Sequence, residues 1–390
     1  MVSSVAGWNE FVDQIRSLPD RLLAKLPESM RQDPQVQQEV AQLVLESLAA
    51  SSLDAISGDG DHPVFLANQN LTLNFPMSNA DTTYRVSRIT PGGIYRLRGR
   101  RGSLRMALLS QIGPAAAGVG RGYMDLNKLH TDAGGQFDLI LSPERPAGYA
   151  GDWWQLLPTS NMLLLRSVSS DWAREMDLTI SIERMDRAPQ RPRVSAAELE
   201  QRLRSLPQAA AVLPTRFVDG VATLRAGGYV NRLKLIDLSL GGGVSGQSYF
   251  EGAYDLTEDE ALVIETRVPA NCTYYSFIMG NEIQQTTDWY NNLSSLNDSQ
   301  AKPDKDNVLR VVISAQDPGV PNWLDTAGYL RGQVQARWVG CPAPETPVVR
   351  KVAIGEVRSI LPPETPVVTP SEREATIRDR RSKLQQRPLW

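Results

Sequence analysis

The sequence predicts a mainly β protein with an α-helical N-terminal cap and two β-sandwich or jelly-roll-like halves, the C-terminal one a jelly roll. Three observations carry that expectation. Apolar residues recur at three- and four-residue steps near the N-terminus; short alternating runs broken by Gly and Pro fill most of the remainder; and one strand–loop–tryptophan–strand pattern occurs twice.

The helical pattern comes first. Trp8, Phe11, Val12 and Ile15 share one face, Leu22, Leu23 and Leu26 continue after Pro19, and Val36, Val40, Leu43, Val44, Leu45 and Leu48 fall mainly along one stripe. Residues 1–60 therefore read as a helical cap, closed by the Gly58-Asp59-Gly60-Asp61 break. Residues 61–190 read as a first β-rich domain, with strands over 83–89, 94–99, 104–112, 137–141, 162–168 and 176–185. Ser195-Ala196-Ala197-Glu198 has the spacing of a capping box and opens a helical connector over 191–216, with Pro207 as its expected break. A second β-rich, jelly-roll domain spans 217–341, with strands over 261–268, 274–279, 308–314 and 332–339. The Gly241-Gly242-Gly243 run lacks the Gly-Lys-Ser/Thr ending of a phosphate loop and reads as a loop. Residues 342–390 form a Pro-rich and then charged tail, read as an arm that packs on a neighbouring surface or frays.

Composition narrows the function classes. A net charge of −3 supplies no basic footprint, so nucleic acid is not an expected partner. No apolar run approaches the length of about 18 residues that a membrane helix needs. The first residues lack a basic start followed by an apolar stretch, so neither a membrane nor a secretory signal is expected. Cys272 and Cys341 cannot make a disulfide framework, and the expected location is a reducing cytoplasm, a Cys272–Cys341 bridge formed in vitro being the alternative. With two histidines, His62 and His130, the chain has no histidine-rich metal site and little basis for a Ser–His hydrolase, so no metal and no cofactor is expected.

The candidate chemistry lies in two places. The corner Asn74–Arg85 puts Asn79, Asp81, Tyr84 and Arg85 where a polar loop enters a sheet. There Asp81 reads as a general acid or base and Tyr84 as a donor, provided the corner is a turn, because residues three apart on a strand face opposite ways. The same Asn and Asp residues equally serve to close a turn. The second place is the repeat. A strand ending in Ser142 leads through a Pro/Gly loop to Asp152-Trp153, and a strand ending in Ser314 leads through Asp317-Pro318-Gly319 to Asn322-Trp323; a further strand follows each. Asp152 supplies a second carboxylate, and Trp153, Asn322 and Trp323 supply walls. The indoles either line a pocket or plug the ends of the sandwiches, and plugging is favoured for at least one of them.

With those residues in hand, the chain resembles the paired domains of unknown function 1254 and 1214. Asn79-x-Asp81-Thr82-x-Tyr84 is similar to the signature of the first, with Ala80 in place of its second Asn. Tyr274-Tyr275-Ser276-Phe277, residues 292–298 and 311–319, and Asn322-Trp323-Leu324 are similar to the second. The resemblance covers roughly residues 64–340 and implies two β-rich parts, the C-terminal one a jelly roll. It brings no settled activity. The resulting expectation is an enzyme acting on a small polar or amphipathic molecule, a hydrolase or lyase using carboxylate and Tyr acid–base chemistry. The alternative is a carbohydrate-binding, lectin-like protein or an oligomeric scaffold, self-associating through the N-terminal helices or the C-terminal tail. The enzyme calls for Asp81, Tyr84 and a second acid around one hollow with the tryptophans, and the lectin-like protein for an exposed tryptophan shelf with no buried acid.

Overall fold

The computed structural model describes residues 5–113, 122–236, 247–269, 271–342 and 345–388. The Gly241–Gly243 run and Trp390 lie outside them. Four short-to-long helices come first: α1 (Trp8–Arg16), α2 (Leu18–Leu23), α3 (Glu28–Arg31) and α4 (Pro34–Ser57). Asp33 caps α4 by accepting from the Gln35 amide, and Pro34 fits the first turn, where no backbone donor is needed. Val36, Val40, Leu43 and Val44 are buried as the stripe predicts, but Leu45 points to solvent. Among the described residues α4 alone has the length and mean hydropathy, 1.2, of a candidate membrane span; here its buried side packs in a cluster with Leu18, Leu22, Ala211 and Val218.

The first sandwich is built from β1 (Leu66–Gln69), β2 (Thr82–Arg88), β3 (Tyr95–Arg100), β4 (Met106–Ile112), β5 (Tyr123–Asp125), β6 (Gln136–Ser142), β7 (Asp152–Gln155), β8 (Met162–Val168) and β9 (Thr179–Arg184). One sheet has the order β1-β2-β8-β4-β5 and the other β7-β6-β3-β9. Between them lies a core that includes Leu109 and Leu165 from one sheet and Tyr95, Leu97, Leu139 and Leu141 from the other. The helices α5 (Ala196–Phe217) and α6 (Gly220–Ala226) then lead to β10 (Lys234–Ile236), β11 (Gln247–Asp255), β12 (Glu260–Arg267), β13 (Tyr274–Gly280), β14 (Ser295–Asn297), β15 (Val308–Ser314), β16 (Trp323–Asp325), β17 (Arg331–Val339) and β18 (Val348–Ala353). Their orders are β10-β11-β17-β13-β14 and β16-β15-β12-β18. Adding nine to every strand of the first half reproduces the second, so the protein is one sandwich built twice. The second core is centred on Phe250, Phe277, Trp338, Leu262 and Val311.

Each half has one sheet turned toward its counterpart. Strand alternation sends Leu109 and Leu165 into the first core and their neighbours Leu108 and Arg166 to the opposite face. Met106, Leu108 and Val168 meet Tyr274 and Val339 there, an apolar patch between the halves.

Three expectations need correction. Helix α5 runs unbroken through Pro207 and Pro214 to Phe217, and it packs on α1 and α4, so the connector and the cap are one helical layer rather than separate units. Packing against two helices compensates the lost backbone donors. Of the two readings of the tail, packing holds and fraying does not, and the surface is the chain's own: β18 pairs with β12 and completes the outer sheet of the second half. After it, α7 (Val357–Ile360) and α8 (Pro370–Gln385) follow. A complete capping box between Thr369 and Glu372 starts α8, and Arg373, Arg380 and Leu384 are buried against the chain's own second half. Finally, Cys272 and Cys341 are bonded to each other, joining the residues just before β13 and just after β17. The bridge kept as the alternative in the sequence is thus present in place of two free cysteines.

Candidate functional site

The corner that the sequence singles out is a buried junction. The chain enters it through a cis Phe75–Pro76 bond and a left-handed Met77. Met77 donates its amide to the Gln284 carbonyl of the second half, and its sulfur lies where a side chain on Gly280 would sit. A turn follows, with the Thr82 amide bonded to the Asn79 carbonyl. The Tyr84 hydroxyl accepts from the Asn79 amide at 3.2 Å, so Asn79 and Tyr84 do meet. Asp81 is 2% exposed. Its Oδ1 accepts from Trp172 Nε1 at 2.8 Å and from Asn297 Nδ2 at 2.7 Å, and its Oδ2 accepts from the Tyr274 hydroxyl at 2.5 Å. Asn79 Nδ2 reaches the same hydroxyl at 2.9 Å.

This geometry fixes what Asp81 does. It receives one donor from its own half and two from the other, while Arg387, beyond α8, donates to the carbonyls of Ala80 and Asp81. Arg380 and Arg387 lie over the Trp172 ring at 4.5 and 5.4 Å. Burial pushes the Asp81 carboxyl above its usual range, against the pull of Tyr274, Asn297, Arg387 and Trp172. Burial also raises the Tyr274 phenol, and the Asp81 charge raises it further. With every oxygen occupied and three segments closing over it, Asp81 ties the molecule together and is not placed to exchange protons with a substrate.

The other predicted residues scatter. Arg85 pairs with Asp177 at 2.6 Å, buried beneath the sheet. Asp152 lies on β7 in the outer sheet of the first half, where its two oxygens accept from the His130 amide and ring nitrogen at 2.7 Å each. Asn322 clamps backbone, donating to the Lys302 and Arg310 carbonyls at 2.8 and 3.0 Å. The two indoles are plugs of the same design. Trp153 Nε1 donates to Ser142 Oγ at 2.8 Å, and Trp323 Nε1 to Ser314 Oγ at 3.0 Å, each from a strand running parallel to the one that carries the serine. Asp81, Tyr84 and Asp152 therefore do not share a hollow, and neither tryptophan lines one with them. Sequence order could not reveal this, because inner and outer sheets alternate along the chain.

A larger hollow lies elsewhere among the described residues. A cavity of about 340 Å³ opens between α4 and the loop 281–291 that joins β13 to β14. Glu39 and Glu46 face it from α4, seven residues and so about 10 Å apart along the helix. Asn74, Asn281, Gln285 and Thr286 form polar walls, with Trp289, Tyr290 and Tyr329 as aromatic ones. Glu39 accepts from Gln35 at 3.0 Å and from Asn281 at 3.2 Å; Glu46 accepts from Gln42 at 2.8 Å and Gln285 at 2.9 Å. Asn281 and Gln285 are themselves linked at 3.3 Å, so one amide pair carries both carboxyl groups. Among the described residues no Lys or Arg lines the cavity. Burial raises both carboxyl pKa values, and the nearby Asp33 and Glu282 charges add to the rise at Glu39. Burial also holds the Tyr329 phenol up at about 12, with Glu39 as a bonding neighbour.

Sequence reasoning treated α4 as packing and missed this site. A signal was present: Glu39 interrupts the apolar stripe between Val36 and Val40, and a carboxylate within a buried face calls for a reason. Asp288, Trp289, Tyr290 and Asn291 supply part of the opposite wall. Among the described residues no group of His, Cys, Asp and Glu is arranged to hold a metal ion.

No family model matches the chain, and no curated protein does. Solved structures do. An uncharacterised protein from Burkholderia cenocepacia is 26% identical, with a TM-score of 0.82 over 90% of this chain and 98% of that one. The VPA0106 protein from Vibrio parahaemolyticus is 12% identical, with a TM-score of 0.45 over 80% of this chain and 98% of its own. The first shares the fold; neither description assigns an activity.

Proposed function

We propose that the protein acts on a small polar organic molecule bound in the cavity between α4 and the 281–291 loop, with Glu39 as the group that exchanges a proton. One observation carries this reading. Two carboxyl groups without a cationic partner among the described residues border an open cavity of about 340 Å³. Structural carboxylates in a protein interior are ordinarily paired. Leaving these two to amides alone costs stability, which fits a functional use. A carboxyl whose pKa is raised by burial is suited to give up or take a proton near neutral pH. Amides, threonines and aromatic rings around it suit a polyhydroxylated ligand, which offers hydroxyls to the first two and ring faces to the last. A hydrolase or lyase of such a molecule is the enzyme class favoured. Non-catalytic binding of a sugar is the second reading, supported by the same amide and aromatic lining.

A panel of sugars, polyols and other small metabolites, read by thermal shift and by product formation, tests the proposal. Bound ligand stabilises the native state by about 2.7 kcal/mol at a concentration one hundred times its Kd. The expected result is a stabilising compound whose effect is lost in Glu39→Gln and reduced in Glu46→Gln. Turnover of that compound supports the enzyme, and stabilisation without turnover supports the binding protein. A shift unchanged in both variants overturns the assignment of the cavity.

A further inference from the structure

Helix α8 grips the residues that wall the carboxyl-lined cavity. Its N-terminal end is pinned by charge: Arg373 donates to both oxygens of Asp317, at 2.8 and 2.9 Å, and lies 4.9 Å from the centre of the Trp323 ring. Its C-terminal end is held differently. Arg380 Nε donates to the Trp289 carbonyl at 2.7 Å, and its other nitrogens donate to the Ser295 hydroxyl and, at 3.3 Å, to the Gln300 side chain. The Gln385 amide donates to the Tyr290 hydroxyl, and the Arg381 guanidinium lies 5.7 Å from the centre of the Tyr290 ring. Leu384 joins an apolar cluster with Trp289 and Trp172, whose rings meet edge-on at 6.0 Å. Trp289 and Tyr290 are also the aromatic residues that the 281–291 loop gives to the cavity.

We propose that the segment Arg380–Arg387 is a strap that holds the Trp289–Tyr290 wall in place, and that its release opens the cavity to ligand. The grip suits release. Leu384 is the one buried apolar side chain of α8, and a helix of sixteen residues is marginal in water without such packing. Among the described residues the hydrogen bonds of Arg380 all go to uncharged oxygens. Burial lowers its pKa to about 10, with Arg387 acting in the same direction and the Asp81 charge against it. Release returns this guanidinium to water, which offsets part of the contact energy given up. It also gives up the two bonds from Arg387 to the Ala80 and Asp81 carbonyls, while the Asp81 side chain keeps its donors from Trp172, Asn297 and Tyr274. The Arg373–Asp317 pair keeps the freed end tethered, so the strap can close again. Ligand enters with the strap off and is enclosed with it on. That reading of the opening rests on the function proposed above; the mechanical link between α8 and the wall does not.

The experiment is amide hydrogen exchange on the full chain at pH 7. The Thr287 and Asn292 amides, bonded to the Met279 and Asp288 carbonyls, report on the wall. Arg380→Gln is expected to speed exchange in α8 beyond residue 380 and at 287–292 together, by roughly ten-fold or more, and to leave β6 and β8 of the first core unchanged. Leu384→Ala is expected to speed the same two segments several-fold, so the test stands even if Arg380→Gln does not fold. Glu374→Ala removes only an exposed pair with Arg378 nearer the pinned end, and is expected to leave 287–292 at the wild-type rate. Faster exchange in α8 with 287–292 unchanged overturns the proposal. So do unchanged rates in both segments of both variants, or acceleration that extends through β6 and β8. None of these outcomes needs a ligand, so a metabolite panel without a hit counts against the reading of the cavity and not against the strap.

Discussion

The two sandwiches share every strand pairing, yet their ends are used differently. In the first half the β1–β2 connection carries Asn79 and Asp81 into the junction with the second half. In the second half the β13–β14 connection both receives that corner and walls the carboxyl-lined cavity. One half also has a disulfide, and the other has none. A repeated fold thus supplied two equivalent frames, and differing loops gave one of them a structural seal and the other a wall of the carboxyl-lined cavity. Loops tolerate such divergence because the sheets beneath them bear the packing.

That contrast can be tested by matched substitutions. The largest effect is expected at the seal. Asp81→Leu strands the Trp172, Asn297 and Tyr274 donors in the interior and should cost about 4 kcal/mol in urea unfolding; a loss below about 1 kcal/mol would remove Asp81 as the junction. Next is the disulfide, which closes a loop of 69 residues in the second half only. Replacing Cys272 and Cys341 by Ser should cost about 3 kcal/mol, with the transition of the second half leading. Unchanged stability would mean the bridge adds nothing to a frame already shared.

The indole plugs provide a direct comparison of equivalent positions. Trp323 is 5% exposed, and Trp153 is only partly buried. Ser314→Ala should therefore cost about 2 kcal/mol and Ser142→Ala about 1 kcal/mol, because an unmade hydrogen bond is dearer where water cannot replace it. Equal costs would show that the two plugs are energetically the same despite their burial.

The smallest effect is expected at the cavity. The folded-state pKa of Glu39 lies above its unfolded value, so its contribution favours folding at low pH and is lost as pH rises through the raised value. Glu39→Gln, neutral throughout, should flatten that dependence and leave the variant at pH 7 more stable by roughly 1–3 °C in Tm. A fall in Tm at pH 7 would show instead that the carboxylate is needed for the fold.

Much of this architecture was legible because core strands alternate. Met162–Val168 and Val308–Ser314 are strands with the boundaries their patterns predict. The duplicated Ser–loop–Trp order was a true sign of the structural repeat. Strand β11 escaped notice because Gln247, Tyr249 and Glu251 occupy the face between the halves, where polar residues are buried and the usual alternation is blurred. The Asn79–Tyr84 turn was legible too, but not its burial, which depends on Tyr274, Asn297 and Arg387, far away in sequence. The cavity was least visible of all, since it arises between a helix near the start and a loop near residue 285, and no local pattern records that meeting.

The position of Arg387 bears on how the molecule is made. A ribosome extrudes the Asp81 corner long before it reaches the residue that covers it, and domains otherwise tend to form in the order of their synthesis. Here the first sandwich emerges with an open seam and must wait, first for the strands that bring Tyr274 and Asn297, then for the final helix. A nascent chain halted before α8 carries the Asp81 corner uncovered, and the segment that closes it is translated long after the corner itself.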